Sequence, residues 1–397
     1  MEQALLSKRP VHLTPEAYVR TDVDDGLQIA RNDDFQREIE DAFDALDRLA
    51  ALRLLAAFQA QGLFVNSATR IARTALNERV GVVESRLPLM EALLDILTRA
   101  GLITQDGDEL VSTLHIASPD VNTVLREPAH AIARQKEQHH DTAGFCDLLE
   151  ACLPGLFGVL SGTVRATDLL FAGGSTDLVE AVYKRNRLAH FSHLLVAEAT
   201  RSHASHRLQT AGAGQRLRIL EVGAGTGATT RPLLQALNHA DVDFEYWFTD
   251  ISAGFLFKAK PCFSSHPELV FRTLDVEKDF AKQGFGEPIF DVVIASNVLH
   301  ATRDVGRTLQ RVHNVLRPDG LLVLSELTRR LDVLTLTFGL LDGWWLFADA
   351  ERRMPHCPLL DGTSWQLACV ESGFRSAQVG GSLPGRRLPQ SLVKARP

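Results

Sequence analysis

Residues 221–227 read EVGAGTG, and acidic residues recur at matching places further on: Asp250 in FTDIS and Asp275 in LDVE. Gly223, Gly225 and Gly227 let the backbone bend sharply and approach a ligand closely, where side chains would obstruct it. The spacing alone also fits a dinucleotide-binding loop, and a purely structural glycine turn would be spelled the same way. Charge distinguishes the readings. A carboxylate at Glu221, just before the loop, opposes a pyrophosphate but can accept a hydrogen bond from an ammonium, directly or through water. Asp250, one strand-helix-strand unit later, is placed to accept the two hydroxyls of a ribose, and Asp275 to receive an adenine amine. Three acidic positions favour an adenosyl ligand with a positive sulfonium and an ammonium, S-adenosylmethionine, over a nicotinamide cofactor.

A second group with chemical potential follows the apolar run DVVIA. The segment SNVLHAT places His300 where the chain leaves a strand, and Glu326 follows the next such run, LLVLS. In an open parallel sheet the carboxyl ends of the strands form the ligand crevice, so both residues belong at the edge that carries the glycine loop. If the two strands are neighbours, Glu326 can accept the proton of one imidazole nitrogen and leave the other as a base. Its carboxylate would fix the tautomer and stabilise the imidazolium. Asn297 could orient cofactor or substrate, or simply close the turn.

These residues need a scaffold, and the pattern supplies one. LRILEV, YWFTDIS, FRTLDV, FDVVIAS and LLVLSEL are short apolar runs at helix-sized intervals, which indicates an α/β, doubly wound, mostly parallel sheet over residues 215–397. Residues 1–34 are polar and broken by Pro10 and Pro15, and read as an arm. Over 35–115, an apolar stripe along REIEDAFDALDRLAALRLLAAFQAQ, an amphipathic SRLPLMEALLDILTRAG and a turn at Asp106-Gly107 suggest a mainly helical, winged-helix-like region. Residues 116–214 read as a helical lid and linker. Within them, Ser175 or Thr176 can cap a helix bearing Glu180 and Tyr183, and Ala211–Gly214 reads as the link to the sheet.

Composition narrows the class. The chain has 397 residues and a formal net charge of −7, which argues against nucleic acid as a partner. No stretch supplies the roughly 20 apolar residues that span a bilayer, so a soluble protein in a cytoplasmic setting, without a membrane partner, is the expectation. Cys146, Cys152, Cys262, Cys357 and Cys369 are too sparse for a disulfide framework. His139, His140 and Asp141 form a ligand-like cluster, with His190, His193 and His203 nearby, so a divalent metal stays open though not favoured. Trp344 and Trp345 could wall an acyl tunnel or fill a gap. Lys184, Arg185 and Arg187 form the basic cluster nearest the lid.

Taken together, ILEVGAGTGATTRPLLQAL, YWFTDISAGF, LDVEKDFAKQGF, DVVIASNVLHATRDVGRTLQRVHNVLRPDGLLVLSELTR and FGLLDGWWLF resemble the methyltransferase domains of polyketide synthases, chiefly those that methylate carbon. The resemblance covers roughly residues 155–375. It implies the seven-stranded class I methyltransferase sheet, with S-adenosylmethionine held by the glycine loop, Glu221, Asp250, Asp275 and Asn297. It also implies transfer of a methyl group to the alpha carbon of a beta-ketoacyl chain. That chain would be linked through phosphopantetheine to an acyl carrier protein, among neighbouring synthase domains; the oligomeric state stays open. The family's histidine-glutamate dyad would fall on His300 and Glu326, and its lid tyrosine on Tyr183. Related readings are O-methylation of a beta-hydroxyl or enol, metal-assisted methylation of a malonyl carrier protein, and a cofactor-binding interaction module without activity.

Overall fold

The computed structural model describes residues 23–184, 186–211 and 216–397. A short helix, α1 (Val23–Ala30), buries Leu27 and Ala30, so part of the stretch expected to be an arm is folded. Residues 1–22 of that stretch lie outside the described residues, as do Arg185 of the basic cluster and most of the 211–214 link. Helix α2 (Asp33–Ala60) starts where the Asn32 side chain accepts the Asp34 amide at 2.8 Å, and the apolar stripe from Ile39 to Phe58 is buried along its length. Helix α3 (Leu87–Arg99) buries Leu89, Met90, Leu93 and Leu97 beside it. Strands β1 (Arg70–Ala72), β2 (Ile103–Asp106) and β3 (Glu109–Ser112) form an antiparallel sheet in the order β1-β3-β2. The expected turn joins β2 to β3, with Gly107 at φ 62°.

Two helices bridge this region to the main sheet. Helix α4 (Asp177–Lys184) begins with the Ser175 hydroxyl accepting the Asp177 amide at 3.1 Å, and α5 (Arg187–Ala211) runs along the sheet. The sheet contains β4 (Leu217–Val222), β5 (Phe244–Asp250), β6 (Leu269–Thr273), β7 (Phe290–Ser296), β8 (Leu316–Leu327), β9 (Ser376–Gly380) and β10 (Gln390–Arg396). Their order is β6-β5-β4-β7-β8-β10-β9; β4 to β8 are parallel, and β10 is antiparallel to both of its neighbours. This is the seven-stranded class I methyltransferase-like sheet. Strands β4 and β7, covered on both faces, are almost wholly buried, as expected of central parallel strands. Strand order reverses between β4 and β7, and the carboxyl ends there open the crevice that holds the chemistry.

Candidate active site

The crevice is a cleft of about 580 Å³, within the range of small-molecule sites. Its floor is the loop after β4. All three loop glycines have positive φ, and two of them admit no side chain. A Cβ on Gly223 would lie 2.5 Å from Val298, and one on Gly227 2.6 Å from the Phe263 ring. The loop is tied to its neighbours: the Ala224 amide donates to Thr249 O at 2.8 Å, and the Thr229 hydroxyl bonds that of Ser296 at 3.1 Å.

Asp250 closes β5 beside this loop. Its carboxylate accepts the amides of Gly225 at 3.0 Å and Ser252 at 2.8 Å, which holds one face of the group toward the cleft. Asp275 also lines the cleft; it accepts the Glu277 amide and pairs with Lys278 at 3.0 Å. Asn297 sits in the left-handed region at φ 53°, a conformation that asparagine tolerates. Its amide oxygen accepts the Leu327 amide at 3.1 Å, so its side chain ties the end of β7 to that of β8 while it lines the cleft. Tyr183, from α4, lines the facing wall and keeps 48% of its surface accessible, though surrounding atoms raise its phenol above the ordinary value by desolvation.

Glu221 needs a correction. It is buried at 2% exposure and does not line the cleft. Along β4 its side chain shares the face of Leu217 and Ile219, and it accepts the hydroxyls of Thr230 and Tyr246, both at 2.6 Å. Burial pushes its carboxyl up to about 7, against the two hydroxyls that favour the carboxylate. It therefore supports the loop from behind, and direct contact with a ligand ammonium is not its role.

The dyad is formed. His300 occupies a single turn, Leu299–Ala301, after β7, and its Nδ1 lies 2.6 Å from Oε2 of Glu326. Strands β7 and β8 pair directly, Ser296 opposite Ser325, so residues 26 apart in sequence meet in space. Glu326 has no exposed surface, and its second oxygen accepts the amides of Val298 at 3.1 Å and Leu299 at 2.9 Å. A carboxylate saturated this way holds Nδ1 as a donor and leaves Nε2 with its lone pair available. Asn297, Val298, Ala301 and Thr302 line the cleft around His300; the ring itself is set back beside them, with 12% of its side chain exposed.

Two further residues escaped the sequence reading. Arg353 is buried and donates to the carbonyls of His300 and Pro358 at 2.6 Å and Thr302 at 2.8 Å, with its Nε on Asp349 at 2.7 Å. Asp349 also accepts the Val305 amide at 2.9 Å, so the turn carrying His300 is clamped from both sides. Nothing in the sequence near residue 353 announces this. His193, weighed only as a metal ligand, lines the cleft from α5; desolvation, then neighbouring His190, lowers its imidazole to about 4, so it is neutral there near pH 7.

Other expectations end elsewhere. Trp344 and Trp345 pack against the core rather than lining the cleft, and the Trp345 indole donates to Gly339 O at 2.8 Å. Asp141 accepts from Arg187 through backbone amide, Nε and a terminal nitrogen, at 2.7–2.9 Å. That ties Asp141 away from a metal and commits Arg187 to an internal pair. Among the described residues, no group of three or more His, Cys, Asp or Glu side chains is arranged to hold a metal ion.

The cleft fits an adenosyl ligand of positive charge. Its lining contains Glu180, Asp250, Asp275 and Glu277 and, among the described residues, no Lys or Arg. Such a surface attracts a sulfonium and an ammonium and disfavours a pyrophosphate. The loop also presents bare backbone where a Cβ would clash.

A family model described as a methyltransferase domain matches residues 220–322. Over 337 residues, 84% of this chain, the sequence is 38% identical to the polyketide synthase ThaQ of Burkholderia thailandensis, of which it spans only 16%. The DszA carbon methyltransferase structure superposes with a TM-score of 0.81 at 37% identity, covering 90% of each chain. The CurJ carbon methyltransferase structure gives 0.77 at 30% identity, covering 97% of this chain and 99% of that one. Identity at this level across nearly the whole of two solved carbon methyltransferases, on a cleft suited to a sulfonium donor, means that the chain belongs to the S-adenosylmethionine-dependent carbon methyltransferases of the polyketide synthase type.

Proposed function

We propose that the protein methylates the alpha carbon of a beta-ketoacyl chain carried on the phosphopantetheine arm of an acyl carrier protein, with His300 as general base. The observation that carries this reading is the 2.6 Å contact between His300 Nδ1 and the buried Glu326. A carbon between two carbonyls is acidic enough for a neutral imidazole to deprotonate, and the base must not be a nucleophile strong enough to capture the methyl group itself. His300 takes the alpha proton on Nε2, and the carboxylate of Glu326 stabilises the imidazolium while the fixed turn keeps the ring in place. When bound, S-adenosylmethionine supplies the electrophilic methyl group. Asp250 would hold the ribose hydroxyls and Asp275 the adenine amine, with the loop at Gly223, Gly225 and Gly227 lying against the methionine portion. Asn297 keeps the β7 and β8 ends in register. Tyr183 on α4 faces the acyl side and orders the substrate. Held close and aligned, the enolate and the methyl group gain rate mainly by positioning. The partners are a carrier protein and neighbouring synthase domains, in keeping with relatives many times longer than this chain.

The test supplies labelled S-adenosylmethionine with matched beta-keto, beta-hydroxy and malonyl carrier-bound substrates, with and without chelator. Carbon methylation of the beta-keto substrate alone, indifferent to chelator, is the expected result; methylation at oxygen, or chelator-sensitive methylation of malonyl, overturns it. His300→Ala should abolish turnover while largely sparing cofactor affinity, and unchanged turnover removes His300 as the base.

A further inference from the structure

At the end of the sheet opposite the cleft, α5 and the β9–β10 hairpin enclose a second cavity of about 260 Å³. On α5 the residues Ser202, His203 and His206 point into it at helical spacing. From the sheet come Ser376 on β9 and Lys394 and Arg396 on β10; Arg396 lies opposite Ser376 in the ladder, so the two side chains share a face. Among the described residues the lining contains no Asp or Glu, although the whole chain carries a net charge of −7. Lys394 and Arg396 make no ion pair among the described residues.

His203 is the informative member. It is 5% exposed, and neither ring nitrogen has a hydrogen-bond partner. A buried imidazole with two idle nitrogens costs free energy unless something polar meets it. The charged groups around it are Arg396 from β10, Arg207 and His206 from α5, and Asp291 from β7. Asp291 is already engaged: it accepts Arg207 at 3.0 Å and the Arg218 amide at 2.9 Å. Among the described residues, Lys394 and Arg396 are therefore left without a counter-charge.

We propose that this cavity binds a tetrahedral oxyanion of the phosphate type, with Arg396 and Lys394 supplying charge, Ser202 and Ser376 hydroxyl donors, and His203 a proton-bearing donor once the anion is present. In the free protein burial, then Arg396 and Arg207, lower the His203 imidazole to about 4, so it is neutral near pH 7. An anion among these groups reverses the balance, raises the imidazole above its free value and couples binding to proton uptake. Affinity therefore strengthens as pH falls toward the bound-state value. The source is free phosphate or a phosphate monoester on a small molecule, which the cavity accommodates through its open side.

Calorimetric titration of the full chain with sulfate, whose charge is constant from pH 6 to 8, reads the site at fixed ionic strength. Saturable binding that tightens toward pH 6 is expected, with Lys394→Gln plus Arg396→Gln weakening it by roughly tenfold or more. Both side chains are exposed, so this double variant is expected to fold. The His203 ring resonance, assigned with His203→Phe, should titrate at higher pH when sulfate is present. Inorganic phosphate and glycerol phosphate form the comparison: tighter binding of phosphate indicates the free anion, and equal or tighter binding of the monoester indicates a carried phosphate. Equal sulfate affinity in the wild type and the double variant, an unmoved His203 titration, or acetate binding as tightly as phosphate would each overturn the assignment.

Discussion

Replacing Glu326 by Gln exchanges one carboxylate oxygen for an amino group and should disable the proposed base, His300. The outcome is dictated by the backbone on the far side of the carboxylate. Val298 N and Leu299 N both donate to Oε1, so the glutamine carbonyl must take that position. The amide nitrogen is then forced into the place of Oε2, 2.6 Å from His300 Nδ1, with its hydrogens directed at the ring. The reverse orientation would oppose N–H to N–H twice inside a fully buried site, costing about 1–3 kcal/mol for each donor left unsatisfied. Nδ1 must therefore become an acceptor, and the ring's hydrogen moves to Nε2, where the lone pair was needed. Loss of a positioned general base costs roughly 10²–10⁴ in rate. That corresponds to about 2.7–5.4 kcal/mol of transition-state stabilisation. Single-turnover methyl transfer followed by mass spectrometry measures the rate, and nitrogen NMR of the imidazole reads the tautomer. Cofactor affinity should be unchanged, because Glu326 does not reach the cleft. Glu326→Gln turning over at the wild-type rate, or keeping its hydrogen on Nδ1, would refute the reasoning.

Three further outcomes follow from the geometry. Asp250→Ala removes the acceptor of two backbone amides and the proposed acceptor of the ribose; the cofactor Kd should rise roughly 10- to 100-fold, and an unaltered Kd in equilibrium binding would defeat the assignment. Arg353→Lys cannot reproduce the four-bond clamp, so kcat should fall roughly 10- to 100-fold with cofactor Kd retained; parallel loss of both would point to general collapse instead. Glu221 has its carboxyl raised from an ordinary 4.5 to about 7 in the folded state, so it favours folding below pH 4.5, and that contribution is lost as pH rises to about 7. Glu221→Gln should therefore flatten the decline of unfolding free energy between pH 4.5 and 7 in denaturant titrations, and an unchanged slope would show that Glu221 does not titrate in this window.

What the sequence determined by itself is whatever depends on neighbours along the chain. Glycine placement, apolar runs of strand length, helix-sized gaps and acidic residues at several strand ends are local properties, and they identified the sheet, the loop and the crevice edge. The pairing of His300 with Glu326 was also legible, because consecutive strands in such a sheet tend to lie side by side and both residues stand at the same end. The tertiary structure decided which way each side chain faces and what meets it there. Strand alternation says that Glu221 and Val222 point apart, but only the packing of Tyr246 and Thr230 shows that Glu221 faces away from the cleft. Arg187 reads as a surface cation until Asp141, 46 residues earlier, closes on it. Arg353 has no local signature, since its partners are carbonyl oxygens that every residue carries, brought within 3 Å by the fold alone. Hydrogen bonds and burial between distant segments carry no periodic imprint, which is why the His300–Glu326 contact could be read from the sequence but the groups that hold it could not.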